Sequence, residues 1–363
     1  MASGASVGPA PAHVPIDALA AAAFAARRRT ADRIFRGALV FTGALTVFWG
    51  VAVVTQRDIP FFEHYNTDLE GVVRVLVGVS IFYVLWGFLW LWVKGALLRR
   101  VARFSDEERR AAFSSRMREP YDVIGIVARH SERRIRIIDM IGRRGLFITL
   151  AAAAFFYLYG RVASEQPGNF ATLFLADNLF DAVLTSWIFL AFFYSDGRLA
   201  AAFYGPQSRI MDGVLARANC LLITTLWTVF KFVMVPIGAE LARLFTPEQF
   251  AVVFALIWGS YIVADATAEI GGSIFGRQSI RVWGVGDVNR KSVGGTVSAF
   301  AAALVFCLGI VLAAGLPAPW IGLAIVIAVA NPIVELCSPR GTDDFTMATT
   351  NARVCWVFGA LVL

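Results

Sequence analysis

Apolar runs of about twenty residues recur along most of the chain, and they limit its possible folds more than any other feature. A run of this length lets one helix cross the hydrocarbon core of a bilayer, which is ~30 Å thick. Only 16% of the residues are charged, against about 25% in soluble domains. The sequence therefore predicts an all-α, polytopic transmembrane bundle of eight or nine spans. The predicted spans are 34–56, 71–93, 146–163, 170–194, 219–239, 249–268, 295–314, 318–334 and a weaker one at 350–363.

Basic residues are concentrated in alternate gaps between these spans. Five gaps hold 27 of the 33 lysines and arginines, and each intervening gap holds at most one. Short loops rich in Lys and Arg stay on the cytoplasmic side, so the pattern predicts a cytoplasmic N-terminus in an integral protein of a bacterial inner membrane. Anionic lipid accounts for the net charge of +7, and no nucleic-acid partner is expected. The five basic gaps are 27–36, 94–144, 195–218, 269–293 and 337–349.

The chain divides into a leader and two transmembrane regions. Residues 1–33 are predicted to be a basic leader, disordered where Pro, Gly and Ala dominate. Residues 34–240 form an N-terminal transmembrane region that includes the basic cytoplasmic segment 94–144, and residues 249–363 form a C-terminal, catalytic one. The basic run 129–145 predicts a helix on the inner leaflet. It serves either as a positive anchor or as a contact for an anionic substrate.

Residues 265–296, DATAEIGGSIFGRQSIRVWGVGDVNRKSVGGT, carry most of the functional signal. Asp265 ends an apolar run, and an ionisable group at such a place is a functional candidate. Glu269 follows four residues later, so both carboxylates share one helical face. They are predicted to bind Mg²⁺ together with nucleotide phosphates. The alternative is a structural pair with Arg277 or Arg281.

The second half of this stretch combines a lysine with glycines at the start of a span. Free backbone N–H groups at a helix N-terminus, beside Lys291, attract phosphate. The alternative is a basic turn with only a structural role. The predicted nucleotide-binding residues are Gly272, Gly276, Asn289, Lys291, Ser292, Gly294, Gly295 and Thr296.

These motifs resemble the signature of the CTP-dependent membrane lipid-alcohol kinases, which include dolichol kinase, phytol kinase and the yeast-type diacylglycerol kinase. The first part is matched by Asp265, Ala268, Gly272, Phe275 and Gly276, and the second by Lys291, Ser292, Gly295 and Thr296. Downstream, VELCSPRGTDDFTM is similar to a third family segment through Glu335, Gly341, Asp343 and Thr346, with Asp344 where Asn is usual. The resemblance covers residues 250–350 well and the first 210 residues poorly.

The resemblance implies a membrane kinase that transfers the γ-phosphate of CTP to a polyprenol, phytol-like or diacylglycerol hydroxyl. Asp265 and Glu269 would then hold Mg²⁺, and Lys291 would contact phosphate. Asp343 and Glu335 would complete the metal shell or orient the hydroxyl, which requires segment 334–347 to fold back against 265–296. The alternatives are a lipid cytidylyltransferase, which also uses CTP, a transporter-like protein, and an inactive relative of these kinases.

Three further charges lie inside predicted spans. Asp177 and Asp181 are four residues apart in the fourth span, and Lys231 lies in the fifth. Each costs ~2.5–3.5 kcal/mol at mid-bilayer, so we expect them to pair or to face a wet cavity. They are interpreted either as a buried pair that stabilises the bundle or as a pocket for the lipid headgroup. A transporter would also use such groups.

Overall fold

The computed structural model is almost entirely helical, as predicted. It describes residues 18–54, 69–113, 129–164, 181–283, 290–339 and 341–362. The predictions for Asn289, Asp177 and the leader up to residue 17 lie outside these residues. The helices of the N-terminal half are α1 (Ala18–Val54), α2 (Leu69–Arg100), α3 (Asp106–Phe113), α4 (Glu132–Ser164), α5 (Asp181–Phe192) and α6 (Arg198–Tyr204).

The C-terminal half contains longer apolar helices and one short hairpin. Its elements are α7 (Leu215–Leu244), α8 (Pro247–Phe254), a π-helical turn (Ala255–Gly259), α9 (Ser260–Phe275), β1 (Ser279–Arg281), β2 (Arg290–Ser292), α10 (Val293–Ala313), α11 (Ala318–Cys337) and α12 (Asp343–Val362). The two strands pair antiparallel, with Ile280 opposite Lys291. This hairpin departs from the all-α prediction, and it fixes the backbone that carries Lys291.

Four helices among the described residues are long and apolar enough to cross a membrane. They are α7, the continuous helix Glu248–Phe275, α10 and α11. Each matches a predicted span, whereas the full count of eight or nine spans is not established. Several helices extend beyond their predicted spans: α1 begins at Ala18 inside the predicted leader, and α4 begins at Glu132.

Local sequence signals explain where several helices start and stop. Thr246 and Gln249 form a capping box at the start of α8. Ser105 and Glu108 form a second capping box, and α3 begins at Asp106 directly after it. Helix α10 ends before Gly315, whose φ of +63° suits a residue without a Cβ.

The main apolar core lies within the C-terminal half, where α7 to α12 pack around buried side chains such as Leu256, Trp320 and Ile327. Helix α9 packs most extensively against α10, and α10 against α11. Helix α4 also reaches α9. This contact brings the basic N-terminal half to the acidic face of α9.

Glycines allow α9 and α10 to approach each other closely. A Cβ on Gly295 would lie 2.6 Å from the carbonyl oxygen of Ala268, and one on Gly272 would lie 2.8 Å from the Ser292 hydroxyl. Small residues at helix contacts are typical of membrane bundles, because backbone approach replaces the hydrophobic driving force. The glycines of the motif therefore have a packing role in this structure.

Candidate functional site

The face of α9 carries Asp265 and Glu269, joined by one guanidinium. Arg144 Nη1 bonds to Asp265, and Arg144 Nε lies 2.5 Å from Glu269 Oε2. The shared face agrees with the four-residue spacing. The partner is an arginine of α4, rather than Arg277 or Arg281 as the structural alternative supposed.

Glu269 accepts bonds from two further arginines. Its Oε1 lies 2.8 Å from Arg143 Nη1 and 3.2 Å from Arg209 Nη2. Burial acts to lower the pKa of Arg144 and of Arg209, but the charges of the carboxylates outweigh it and raise both values. Both oxygens of Glu269 are thus engaged by cations that stay charged. The structure therefore favours a role for Glu269 as the shared ion-pair partner of three arginines over its predicted role as a metal ligand.

Lys291 joins the hairpin to α11 and α12. Its Nζ lies 3.1 Å from Glu335 Oε1 and 3.2 Å from Asp343 Oδ2, and it also donates to the backbone carbonyl of Glu335. Burial acts to lower the pKa of Lys291, but Asp343 and Glu335 outweigh it and raise the value. The segment 334–347 therefore lies against the end of 265–296, as the predicted fold-back requires.

Asp343 and Asp344 begin α12 side by side but differ in charge environment. Burial opposes ionisation of Asp343, yet Lys291 outweighs this effect and lowers its pKa. Burial raises the pKa of Asp344 well above its ordinary value, and the negative charges of Asp265 and Asp343 raise it further. Asp265, Asp343 and Asp344 therefore interact within one small volume, where like charges repel.

The acidic side chains of this volume supply oxygen atoms, the ligand type that a hard divalent cation takes in proteins. Carboxylates are the ligands that Mg²⁺ takes in proteins, and Glu335 Oε2 is buried without a hydrogen-bond partner among the described residues. Within the same residues, no group of three or more His, Cys, Asp or Glu side chains already stands in a metal-holding arrangement. The cations Lys291 and Arg144 instead pair with the carboxylates. A metal would have to replace at least one of these contacts.

The residues at the start of α10 have structural partners. Ser292 caps the helix by accepting from the N–H of Gly295 at 3.0 Å, and the Thr296 hydroxyl donates to the Ser292 carbonyl at 3.2 Å. Gly294 lies against Phe275, and Gly276 against Gly272. Their nucleotide-binding role stays a prediction, since close packing and capping already explain these residue types.

The charges predicted inside spans lie on α5, which carries Asp181, and on α7, which carries Lys231. Asp181 and Lys231 are close enough for their charges to interact, and the Lys231 ammonium lies 5.7 Å from the centre of the Trp227 ring. The Asp181 carboxylate also accepts from Thr185 at 3.4 Å. These contacts favour the buried pair over the predicted headgroup pocket.

Sequence reasoning missed four charged residues of the site. One of the two roles predicted for run 129–145 was contact with an anionic substrate. This run contains Arg143 and Arg144, but the prediction did not identify these two residues. Arg209 is an isolated residue 60 positions from its partner Glu269, and no local pattern marks it. Asp344 is adjacent to a predicted site residue, and its only signal is its place in the family segment.

Comparisons with known proteins identify no relative of this chain. No family model matches the sequence, and neither a curated protein nor a solved structure is significantly similar to it. The motif residues and the charged site that they form are therefore the features of this chain that point to a function.

Proposed function

We propose that this chain is an integral membrane kinase that transfers the γ-phosphoryl group of CTP to the hydroxyl of a lipid alcohol, with Mg²⁺. One observation carries the proposal: acidic and basic motif residues from three separate segments meet at one end of the bundle. Lys291 bridges Glu335 and Asp343, and Asp265 interacts with Asp344 beside them. Packing alone does not require such a concentration of charge next to apolar spans.

The proposed location follows from the four apolar helices and the distribution of charge. These helices suggest an integral membrane protein, and the basic gaps favour a cytoplasmic site, where nucleotides are found. A lipid alcohol would reach the site from the bilayer, and CTP would reach it from the cytoplasm. This arrangement supports a reaction at the membrane surface.

The residues divide into two groups by charge. Asp265 and Asp343 would hold Mg²⁺, with Asp344 and Glu335 as further oxygen donors, and the ion would neutralise charge on the transferring phosphoryl group. Lys291 would exchange its carboxylate contacts for phosphate oxygens. The site is therefore held by internal ion pairs until metal and nucleotide together supply the opposite charges.

The chemical step needs no covalent enzyme intermediate. The alcohol oxygen forms a bond to the γ-phosphorus, the bond from that phosphorus to the bridging oxygen breaks, and CDP leaves with the electron pair. Glu335 Oε2, which has no hydrogen-bond partner among the described residues, would accept the proton of the alcohol. The products are CDP and a phosphorylated lipid.

The deciding experiment follows labelled CTP with the purified full-length protein in detergent. The acceptor panel contains a polyprenol, phytol, diacylglycerol and phosphatidic acid, each with and without Mg²⁺. Alcohol-dependent release of CDP, with phosphate in the lipid, supports the proposal. Release of pyrophosphate with phosphatidic acid overturns it in favour of a cytidylyltransferase, and no consumption of CTP with any acceptor rejects both enzymes.

A further inference from the structure

Tyr261 is a buried polar residue that has no role in the reaction steps proposed above. It is 1% exposed, and its phenolic oxygen has no hydrogen-bond partner among the described residues. Leaving a buried hydroxyl without a hydrogen-bond partner is destabilising. Such a group in a packed core calls for a functional explanation.

The position of Tyr261 links this hydroxyl to the charged site. Tyr261, Asp265 and Glu269 are spaced by four residues on α9, so they follow one face of the helix. The charges of Asp265 and Asp344 both act on the Tyr261 hydroxyl. Tyr261 therefore lies one helical turn deeper than Asp265, on the bilayer side of the carboxylates.

The surroundings of Tyr261 are apolar on the side away from the carboxylates. Its ring centre lies 6.0 Å from that of Trp227 and 6.3 Å from that of Trp258. The adjacent Ser260 contrasts with it: the Ser260 hydroxyl donates to the Leu256 carbonyl and accepts from Asn331 and Asn351. Polar partners at this depth thus serve Ser260, whereas the Tyr261 phenol has none among the described residues.

We propose that Tyr261 is a positioning and specificity residue whose hydroxyl donates a hydrogen bond to the oxygen of the acceptor alcohol. The inference rests on the proposed function and names the part of the site that takes the lipid. A neutral phenol between an aromatic wall and carboxylates suits a neutral hydroxyl on an apolar chain. An anionic headgroup at the same place would be repelled by the carboxylate of Asp265.

The test compares Tyr261→Phe with Tyr204→Phe in the full-length protein. Both changes remove one phenolic oxygen from a tyrosine that is 1% exposed. The Tyr204 hydroxyl, however, already donates to the Phe189 carbonyl. Tyr261→Phe should raise KM for phytol about five- to twentyfold, the value of one hydrogen bond, and leave KM for CTP within twofold. Tyr204→Phe should lower thermal stability and leave both KM values unchanged.

A binding measurement separates this inference from the proposed function. Phytol should raise the thermal unfolding midpoint of the wild type but not of Tyr261→Phe, and phytane, which lacks the hydroxyl, should shift neither. A phytol shift without turnover would overturn the kinase and keep the alcohol site. The inference is overturned if phytol and phytane act alike on the wild type, or if Tyr261→Phe keeps the wild-type shift or the wild-type KM for phytol.

Discussion

Lys291 neutralises two carboxylates that would otherwise repel each other across the end of the bundle. Its side chain is 11% exposed, and those of Glu335 and Asp343 are 8% and 18% exposed. Pairs this deeply buried are costly to break, because removing one partner leaves an uncompensated charge. The same lysine is proposed to bind phosphate, so its substitution should affect both stability and nucleotide binding.

Lys291→Ala should lower the free energy of unfolding by roughly 3 kcal/mol and weaken nucleotide binding by ~1.5–3 kcal/mol. Equilibrium unfolding in mixed micelles and CTP titration measure the two effects. Arg290→Ala, at the exposed neighbouring position, is the matched control and should change neither by much. A nucleotide dissociation constant within twofold of the wild type would argue against phosphate contact.

Asp139 provides a pH test at the residue scale, away from the site. Its carboxylate lies 2.8 Å from Lys94 Nζ and accepts from the N–H of Ile210. Burial raises the pKa of Asp139, although Lys94 opposes the rise. The folded state therefore holds this proton more tightly than the unfolded chain, whose Asp has a pKa of about 3.9.

The sign of the effect follows from linkage. The stability that this proton contributes is fully present below about pH 3.9 and is lost as pH rises through the higher pKa of the folded protein. Relative to Asp139→Asn, the free energy of unfolding of the wild type should therefore fall as pH is raised above this value. A free energy of unfolding of the wild type that rises with pH, relative to that of Asp139→Asn, would contradict the account.

At the scale of elements, the contact between α9 and α10 depends on glycine. Gly295 lies on α10 where a Cβ would meet the backbone of Ala268, while a Cβ on Gly309 of the same helix would meet no described atom within 4 Å. Gly costs a helix about 1 kcal/mol relative to Ala, and this term applies at both positions. A comparison of Gly→Ala substitutions at the two positions therefore distinguishes the effect of close packing on stability from the effect of helix propensity.

Gly295→Ala should destabilise the protein by about 1–3 kcal/mol, because the packed helices must separate. Gly309→Ala should be neutral or stabilise it by up to about 1 kcal/mol. Unfolding in mixed micelles measures both variants. Equal effects at the two positions would mean that Gly295 does not hold the helices together.

The sequence predicts elements better than it predicts contacts between them. Apolar length identifies α10 and α11 because each must match the bilayer thickness. Helix ends are less predictable, since basic residues continue a helix beyond its apolar part, as Glu132–Ser164 shows. The π-helical turn at Ala255–Gly259 has no marker in the local sequence. The fold-back of 334–347 against 265–296 was predictable because both segments lie on the same predicted side, whereas its ion pairs with Lys291 were not predicted.

The arginine partners of Glu269 could not be predicted in the same way. Arg143 precedes it by 126 residues and Arg209 by 60, and a single charge at such separation leaves no periodic signal. Chain topology alone brings them to α9. The site residues that lie in the predicted motifs were therefore identified from sequence, whereas the arginines that distant helices contribute were not.

At the scale of the whole molecule, the proposed reaction requires the charged site to face the cytoplasm. Ser279 on β1 is exposed and lies near this end, and Ala314 is exposed at the other end of α10. Cysteines placed at these two positions report on opposite sides of the membrane. Of the four native cysteines, only Cys337 is exposed and must be replaced first.

Ser279→Cys should react with a membrane-impermeant maleimide only after intact cells are permeabilised. Ala314→Cys should react without permeabilisation, because the charge pattern places residues 315–317 outside. Labelling yields on both variants in a Cys337→Ser background measure the orientation. The reverse pattern would place the site on the side without nucleotides and would contradict the proposed reaction.

The central claim is that the carboxylates around Asp265 support phosphoryl transfer from CTP to a lipid alcohol. The most direct measurement is Mg²⁺-dependent movement of label from γ-phosphate-labelled CTP into the lipid extract, with Asp265→Asn beside Asp106→Asn at an exposed position. Wild type and Asp106→Asn should label the lipid, and Asp265→Asn should lose about a hundredfold or more of this rate. Arg144 keeps its bond to Glu269 in that variant, so the fold should persist. Unlabelled lipid with wild-type protein, or full activity of Asp265→Asn at saturating Mg²⁺, would contradict the claim.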